Sequence, residues 1–311
     1  MDGAPYFTDI TQGPDIVSCA WAQGADGVRI RVALFPVDHA HGTVLLFTGR
    51  TEYIEKYGPL ARDLAGRGFA MATCDWRGQG LSDRALDEKR TGHVMRFSDY
   101  QIDADALLKA AQDAGLPEPY FLIGHSMGGC IGLRSLVAGY PVSAVAFSAP
   151  MWGIGMAGYL RPFAWTLSFL SRFVNRSHVF APGTTGTPYP EAAPFEDNQL
   201  TTDAEQYAWM KNQTEMHPEL ALGGPSLNWL YEGMLETRAL ARLPSPDVPC
   251  LTLLGGNERI VDTDRIHERM QIWPDGALEI VPGGEHEVLM ERPPLRERAI
   301  ERITGFFDTH L

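Results

Sequence analysis

Ser126 lies within Gly124-His125-Ser126-Met127-Gly128-Gly129, directly after the apolar run Phe121-Leu122-Ile123. A strand that ends abruptly in Gly-x-Ser-x-Gly and passes at once into a helical pattern predicts a nucleophile elbow, a sharp turn that lifts one serine clear of its neighbours. Gly124 and Gly128 suit such a turn because it presses backbone against other chain, where a Cβ would collide. The helix that follows offers N–H groups to a developing negative charge. The chemistry implied is nucleophilic attack on a carbonyl. A serine hydroxyl is a weak nucleophile at neutral pH, so it needs a base, an acid to orient that base, and donors for the oxyanion.

The partners of an elbow serine are expected in the chain order serine, acid, histidine, each after a later strand. After the apolar run 251–254 comes Gly255-Gly256-Asn257-Glu258-Arg259-Ile260-Val261-Asp262, and after Ile280-Val281 comes Pro282-Gly283-Gly284-Glu285-His286-Glu287. His286 is the candidate base, since a glycine-rich turn after a late strand can carry an imidazole over the elbow. Glu258, Asp262 and Asp264 all lie on or beside the acid loop. Glu258 is favoured because it is nearest the strand end, with Asp262 as the alternative. The oxyanion donors are expected to be the backbone N–H of Met127 and that of Arg50, in the loop Thr48-Gly49-Arg50. This chemistry requires no metal and no organic cofactor.

The elements needed to position these residues can be read in the chain. Residues 16–21 and 28–35 flank a glycine turn and predict an antiparallel hairpin. Its second strand alternates Val28, Ile30, Val32 with Arg29, Arg31, as at a sheet edge with one wet face. Residues 43–47 are almost continuously apolar, the pattern of a strand buried on both sides. From there strands at 69–74, 120–124 and 143–148 alternate with helices at 54–66, 97–114 and 127–137. This is an α/β pattern, a mostly parallel central sheet with helices on both faces. Gly49, Asp75, Ser126 and Ala149 each fall just past a strand end, where such sheets bind ligands. From about 150 to 238 the alternation stops and a Pro- and Gly-punctuated, mostly helical stretch intervenes. It resumes with a strand at 248–254, a helix at 264–272, a strand at 277–281 and a helix at 295–307. The expected organisation is a core of residues 1–150 and 239–311, split by an inserted helical cap of residues 151–238.

The chain of 311 residues carries 26 basic and 39 acidic side chains, a net charge of −13, which argues against nucleic-acid binding. Four well-separated cysteines, Cys19, Cys74, Cys130 and Cys250, predict free thiols, mostly buried. The N-terminus lacks the basic start and apolar core of a signal peptide, and no run is long enough to span a bilayer. A soluble, cytoplasmic protein is the default expectation. Nothing in the sequence bears on oligomeric state.

With these residues in place, the chain resembles serine hydrolases of the α/β-hydrolase fold, and more narrowly the monoacylglycerol lipase and lysophospholipase group, whose members are often labelled serine aminopeptidase-like. The resemblance rests on Gly124-His125-Ser126-Met127-Gly128-Gly129, on Asp75-Trp76-Arg77-Gly78-Gln79-Gly80-Leu81-Ser82, on Gly49-Arg50-Thr51-Glu52-Tyr53-Ile54-Glu55-Lys56-Tyr57, on Ser148-Ala149-Pro150-Met151 and on His286-Glu287. It implies Ser126 as nucleophile, His286 as base, Glu258 where the family usually has aspartate, and Arg50 and Met127 as oxyanion donors. Thr48 stands where the family usually has histidine. Asp75 and Arg77 are read as loop braces.

The cap is expected to carry specificity. Leu160, Phe163, Leu167, Leu170 and Val174 form a helical stripe, and Trp165, Phe169 and Phe173 widen it. Packing accounts for one stripe. The added aromatics, with Phe163, Trp165 and Phe169 as candidate substrate contacts, leave surface for an acyl chain or for transient contact with a membrane interface. Trp209, Met210, Met216, Trp229 and Met234 fit core or pocket, and Gly223-Gly224-Pro225 predicts a break between cap helices. The expected partner is a lipid or ester substrate, such as a lysophospholipid or monoacylglycerol. A small-ester carboxylesterase, a serine aminopeptidase using cap acids such as Glu196 and Asp197, and a non-catalytic binding protein on the same fold are the alternatives.

Overall fold

The computed structural model describes residues 2–15 and 17–311; Ile16, where the first strand was expected to begin, lies outside the described residues. Eight strands form one sheet: β1 (Ser18–Gln23), β2 (Arg29–Phe35), β3 (Gly42–Phe47), β4 (Phe69–Asp75), β5 (Tyr120–His125), β6 (Ala144–Ser148), β7 (Cys250–Gly255) and β8 (Gly276–Val281), in the spatial order β1-β2-β4-β3-β5-β6-β7-β8. β1 pairs with β2 and β2 with β4 antiparallel, and β4, β3, β5, β6, β7 and β8 run parallel. The parallel part follows from the sequence. β3, β5 and β6 are apolar at nearly every position and buried throughout, so both faces must be covered. Successive residues go to opposite sides. Leu45, Phe47, Leu122 and Phe147 join the core under helices Tyr100–Asp113 and Met127–Val137. Val44, Leu46, Phe121 and Ile123 join the core under helices Gly58–Ala65 and Pro293–Asp308.

One expectation about β2 is corrected. Arg31 does not face water: it is fully buried, with Nε 2.7 Å from Asp75 Oδ2 and its two terminal nitrogens each 2.8 Å from Glu55. The reason is topological. β2 is flanked by both β1 and β4, so the edge strand is β1, and an alternating pattern cannot tell a polar edge from a buried ion cluster.

Between β6 and β7, no strand of the sheet occurs among the described residues; the chain instead forms helices Arg161–Ser171, Tyr189–Ala192, Ala204–Met216 and Leu227–Leu240. The break at Gly223-Gly224-Pro225 falls before the last of these, which is capped by Ser226, whose side chain accepts the Trp229 N–H. Single-residue bridges Gly92 to Pro225 and Ile154 to Val261 tie this insertion to the core loops. The four cysteines are free thiols, three buried and Cys19 half-buried.

Candidate active site

Ser126 sits at φ 50° and ψ −117° between β5 and helix Met127–Val137. A non-glycine residue pays for positive φ, so the surroundings must impose it. They do: the Ser126 N–H bonds Ser148 O at 3.0 Å, and the Ser126 carbonyl accepts from Gly129 at 2.9 Å and Met151 at 2.8 Å. At Gly128 a Cβ would lie 2.0 Å from Phe47 O and 2.6 Å from Thr48 O. Only glycine lets the elbow press this closely on the loop after β3.

The acid and histidine loops meet through a similar contact. A Cβ on Gly255 would lie 2.1 Å from the Glu285 carbonyl, so this glycine lets the loop after β7 touch the loop after β8. Glu258 Oε1 accepts the N–H groups of Ile260 at 2.6 Å and Val261 at 3.0 Å, which turns Oε2 toward His286 Nδ1 at 2.7 Å. The insertion holds the histidine loop from outside: His286 N–H bonds Gln199 O at 3.2 Å and Glu287 N–H bonds Leu200 O at 2.8 Å. Burial opposes charge on the imidazole, but the hydrogen bond and charge of Glu258 outweigh it and hold the His286 pKa above its ordinary value. Burial likewise works to raise Glu258, yet His286 and the two backbone donors hold that carboxyl below its usual range. Asp262 is elsewhere, ion-paired with Arg161, its N–H on Gly153 O. Asp264 is exposed at the start of helix Thr263–Gln271. The structure therefore brings Glu258, not Asp262 or Asp264, to His286, and places His286 and Ser126 on the wall of one cavity. Ser126 Oγ makes no hydrogen bond among the described residues, and such contacts commonly tighten only with substrate bound.

The loop after β3 presents Arg50 beside the elbow. The N–H groups of Arg50 and Met127 have no acceptor among the described residues, while the groups on either side of Arg50 are clamped. The Gly49 N–H bonds Glu52 Oε2, and the Gln79 amide spans the loop, donating to Gly49 O at 3.1 Å and accepting from Thr51 N–H at 3.1 Å. Thr48, at the position of the family's usual histidine, has its hydroxyl buried without a partner among the described residues. Asp75 holds Arg31 and the N–H groups of Ile54 and Leu81, and Arg77 pairs with Asp103 and Asp26, so both brace loops.

Sequence reasoning missed the buried ionic cluster behind the elbow. Lys56 Nζ lies 2.7 Å from Glu52 Oε1 and 2.5 Å from Glu287 Oε1, with Tyr57 OH on Glu52 at 2.6 Å and the ring of His125 alongside. Glu52, His125 and Glu287 are close enough to share a metal ion, but the Lys56 ammonium already bridges the two carboxylates. Burial raises the Glu52 carboxyl, and the charges of Lys56 and His125 reverse this, so the net shift is downward. Only the Glu52–Lys56 spacing, one helical turn, hinted at this; Glu287 is 231 positions from Lys56.

The cavity at Ser126 and His286 has a volume of about 410 Å³, within the range of small-ligand sites. Its apolar wall includes Met151, Ile154, Met210, Leu222, Trp229 and Leu230. Phe163, Trp165 and Phe169, the expected substrate contacts in the insertion, do not line this cavity. Helix Arg161–Ser171 packs on helix Leu227–Leu240, which stands between it and Ser126 as lining. Trp165 packs edge-on against Tyr231 and lines a separate pocket with Met234 and Arg238, while Phe163 (62% exposed) and Phe169 (43%) face outward. A 3.6-residue stripe shows that a helix has an apolar side but not which element covers it. Of the other expected cap residues, Met210 and Trp229 line the cavity, Trp209 packs beside the core and Met216 is exposed.

Comparison with known proteins agrees with this fold. The family model described as serine aminopeptidase, S33, matches residues 38–293. Lysophospholipase L2 of Escherichia coli K12 is 31% identical over 98% of this chain and 93% of its own length, and the monoglyceride lipase of Saccharomyces cerevisiae is 22% identical over 92% and 91%. The crystal structure of a soluble variant of that yeast lipase with a substrate analogue superposes with a TM-score of 0.75, at 21% identity over 99% of each chain. The chain thus belongs to the serine aminopeptidase S33 family, has the α/β-hydrolase fold and is a carboxylic ester hydrolase.

Proposed function

We propose that the protein cleaves the acyl ester of single-chain lipids, lysophospholipids or monoacylglycerols, through an acyl-enzyme on Ser126. The observation that carries this reading is one cavity whose wall combines Ser126 and His286 with the apolar side chains of Met151, Ile154, Met210, Leu222, Trp229 and Leu230, backed by the 2.7 Å contact between His286 and Glu258. His286 takes the Ser126 proton through the ring nitrogen not bonded to Glu258, as Oγ attacks the ester carbonyl. The Arg50 and Met127 N–H groups hold the oxyanion of the tetrahedral intermediate, a contribution of several orders of magnitude in rate when such donors are fixed in advance. His286 then protonates the leaving alcohol, activates water against the acyl-enzyme, and returns the proton to Ser126 as the fatty acid departs. Glu258 stays ionised and stabilises the imidazolium. Residues 151–238 act as a cap whose inner helices form the acyl wall.

The peptidase alternative has less support. Glu196 and Asp197, offered as anchors for a peptide N-terminus, do not line the cavity, and Asp197 is paired with Arg259. A panel of lysophospholipids, monoacylglycerols, short esters and aminoacyl amides tests the reading. Long single-chain esters are expected to have the highest kcat/KM; amide cleavage without ester turnover would overturn it.

A further inference from the structure

The cavity wall contains a cation that the acyl-transfer chemistry does not use. Lys56, Arg259 and Arg50 are its basic lining residues. Lys56 is neutralised by Glu52 and Glu287, and Arg259 pairs with Asp197 and Glu285. Arg50 has no acidic partner among the described residues. Its guanidinium donates once, from Nη1 to Gly223 O at 2.8 Å, and its centre lies 5.6 Å from the Trp229 ring. A guanidinium carries five N–H donors, so most are left over. None of the Arg50 nitrogens is among the buried side-chain atoms lacking a partner, so the unused donors remain accessible. The side chain is nonetheless desolvated, and burial pushes its pKa down to about 10, which leaves it charged at neutral pH. A charged, part-desolvated guanidinium held in place by a backbone carbonyl and an indole, with no counter-ion, is an anion seat. Its planar fork suits a phosphate.

We infer that the Arg50 side chain binds the phosphate of a substrate's head group, and so makes the enzyme select phosphate-bearing single-chain lipids over uncharged ones. This rests on the acyl-ester reading above and sharpens its substrate class. One residue can thus serve both ends of such a molecule. The Arg50 backbone belongs to the loop that packs on the elbow, while the side chain reaches to Gly223 in the insertion, and Ser126, Arg50 and Trp229 all line the same cavity. A glycerol unit spans from the scissile ester to the phosphate. In a chain with a net charge of −13, an uncompensated cation inside the cavity favours an anion there against the overall field.

Two measurements test this. The first is calorimetric binding of sn-glycerol 3-phosphate, inorganic phosphate and glycerol to the native protein, which needs no turnover. Glycerol phosphate is expected to bind at least about 10-fold more tightly than glycerol, and Arg50→Met to remove that preference while Arg50→Lys keeps part of it. Tighter binding of glycerol phosphate than of inorganic phosphate would assign the seat to a lipid head group; equal binding of glycerol and its phosphate would overturn the proposal. The second is the ratio of kcat/KM for a lysophospholipid to that for a monoacylglycerol of the same chain. In Arg50→Met it is expected to fall about 10- to 100-fold, the worth of a charge-assisted hydrogen bond, and any effect on the shared acyl step cancels. An unchanged ratio would overturn the assignment. Failure to cleave either lipid would instead sink the acyl-ester reading, with the binding measurement still deciding the phosphate seat.

Discussion

Glu258→Gln is expected to lower kcat for ester hydrolysis by about 10³–10⁴-fold without loss of fold. Oε2 accepts from His286 Nδ1 at 2.7 Å, and Oε1 is already committed to two backbone N–H groups. An amide keeping the acceptor toward Ile260 and Val261 would turn its NH₂ toward His286, favour the wrong tautomer and remove the charge that stabilises the imidazolium. The pH profile adds a second signature. Catalysis needs neutral His286, whose pKa is held above the ordinary histidine value, so wild-type activity is lost as pH falls through that raised value. Without the Glu258 charge, burial dominates and disfavours the imidazolium, so the acidic limb moves to lower pH. Asp262→Asn, which touches Arg161 and not His286, is expected to change kcat by less than about threefold. The opposite ranking in steady-state kinetics would move the acid to Asp262.

Lys56→Met is expected to cost about 3–5 kcal/mol of stability in denaturant unfolding at neutral pH, the penalty for leaving buried carboxylates without their cation. Glu52, Lys56 and Glu287 are all buried, and Lys56 is the one ammonium between the two acids. The sign of the pH dependence follows from Glu52. In the wild type its pKa is depressed, so it contributes stability above the unfolded carboxylate range that is lost as pH falls through the folded value. In the variant its folded pKa would rise above the unfolded one, so lowering the pH relieves the strain. The deficit should therefore shrink on acidification, and Glu52→Gln in the Lys56→Met background should recover part of it. A loss below about 1 kcal/mol would mean that water, not Lys56, solvates the pair. Because Glu52 also holds the Gly49 N–H, this cluster ties the stability of the core to the position of the Arg50 donor.

The candidate residues Ser126, Glu258, His286, Arg50 and Met127 can be picked out of the sequence because their signals are local. Each follows a strand of the sheet, Met127 as the first residue of the helix after the elbow and the others in the turn or loop beyond the strand, and such a position is readable without knowing the partners. The glycines carried more than the turn: Gly128 and Gly255 mark where one loop must press on another. The side chains that pair across the chain were not legible. Arg31 looked like the wet side of an edge strand because its acids, Glu55 and Asp75, approach only when β2 is interior. The Lys56–Glu287 contact likewise links distant segments. In the insertion, periodicity marked Phe163, Trp165 and Phe169 as an apolar face, but docking of helix Leu227–Leu240 gave the cavity wall to Trp229 and Leu230 instead. The Arg50 guanidinium could not be distinguished from a solvated side chain, since its lack of an acid is a property of the assembled cavity.

If lipid ester cleavage proceeds through Ser126, a long-chain alkyl fluorophosphonate should block it by modifying that serine. Labelling to increasing extents, with the modified residue located by peptide mass spectrometry and lysophospholipid turnover followed in parallel, gives both site and function. A single label on Ser126 is expected, with turnover lost in proportion to it. Turnover that survives full labelling of Ser126, or inactivation by a label on another residue, would contradict it.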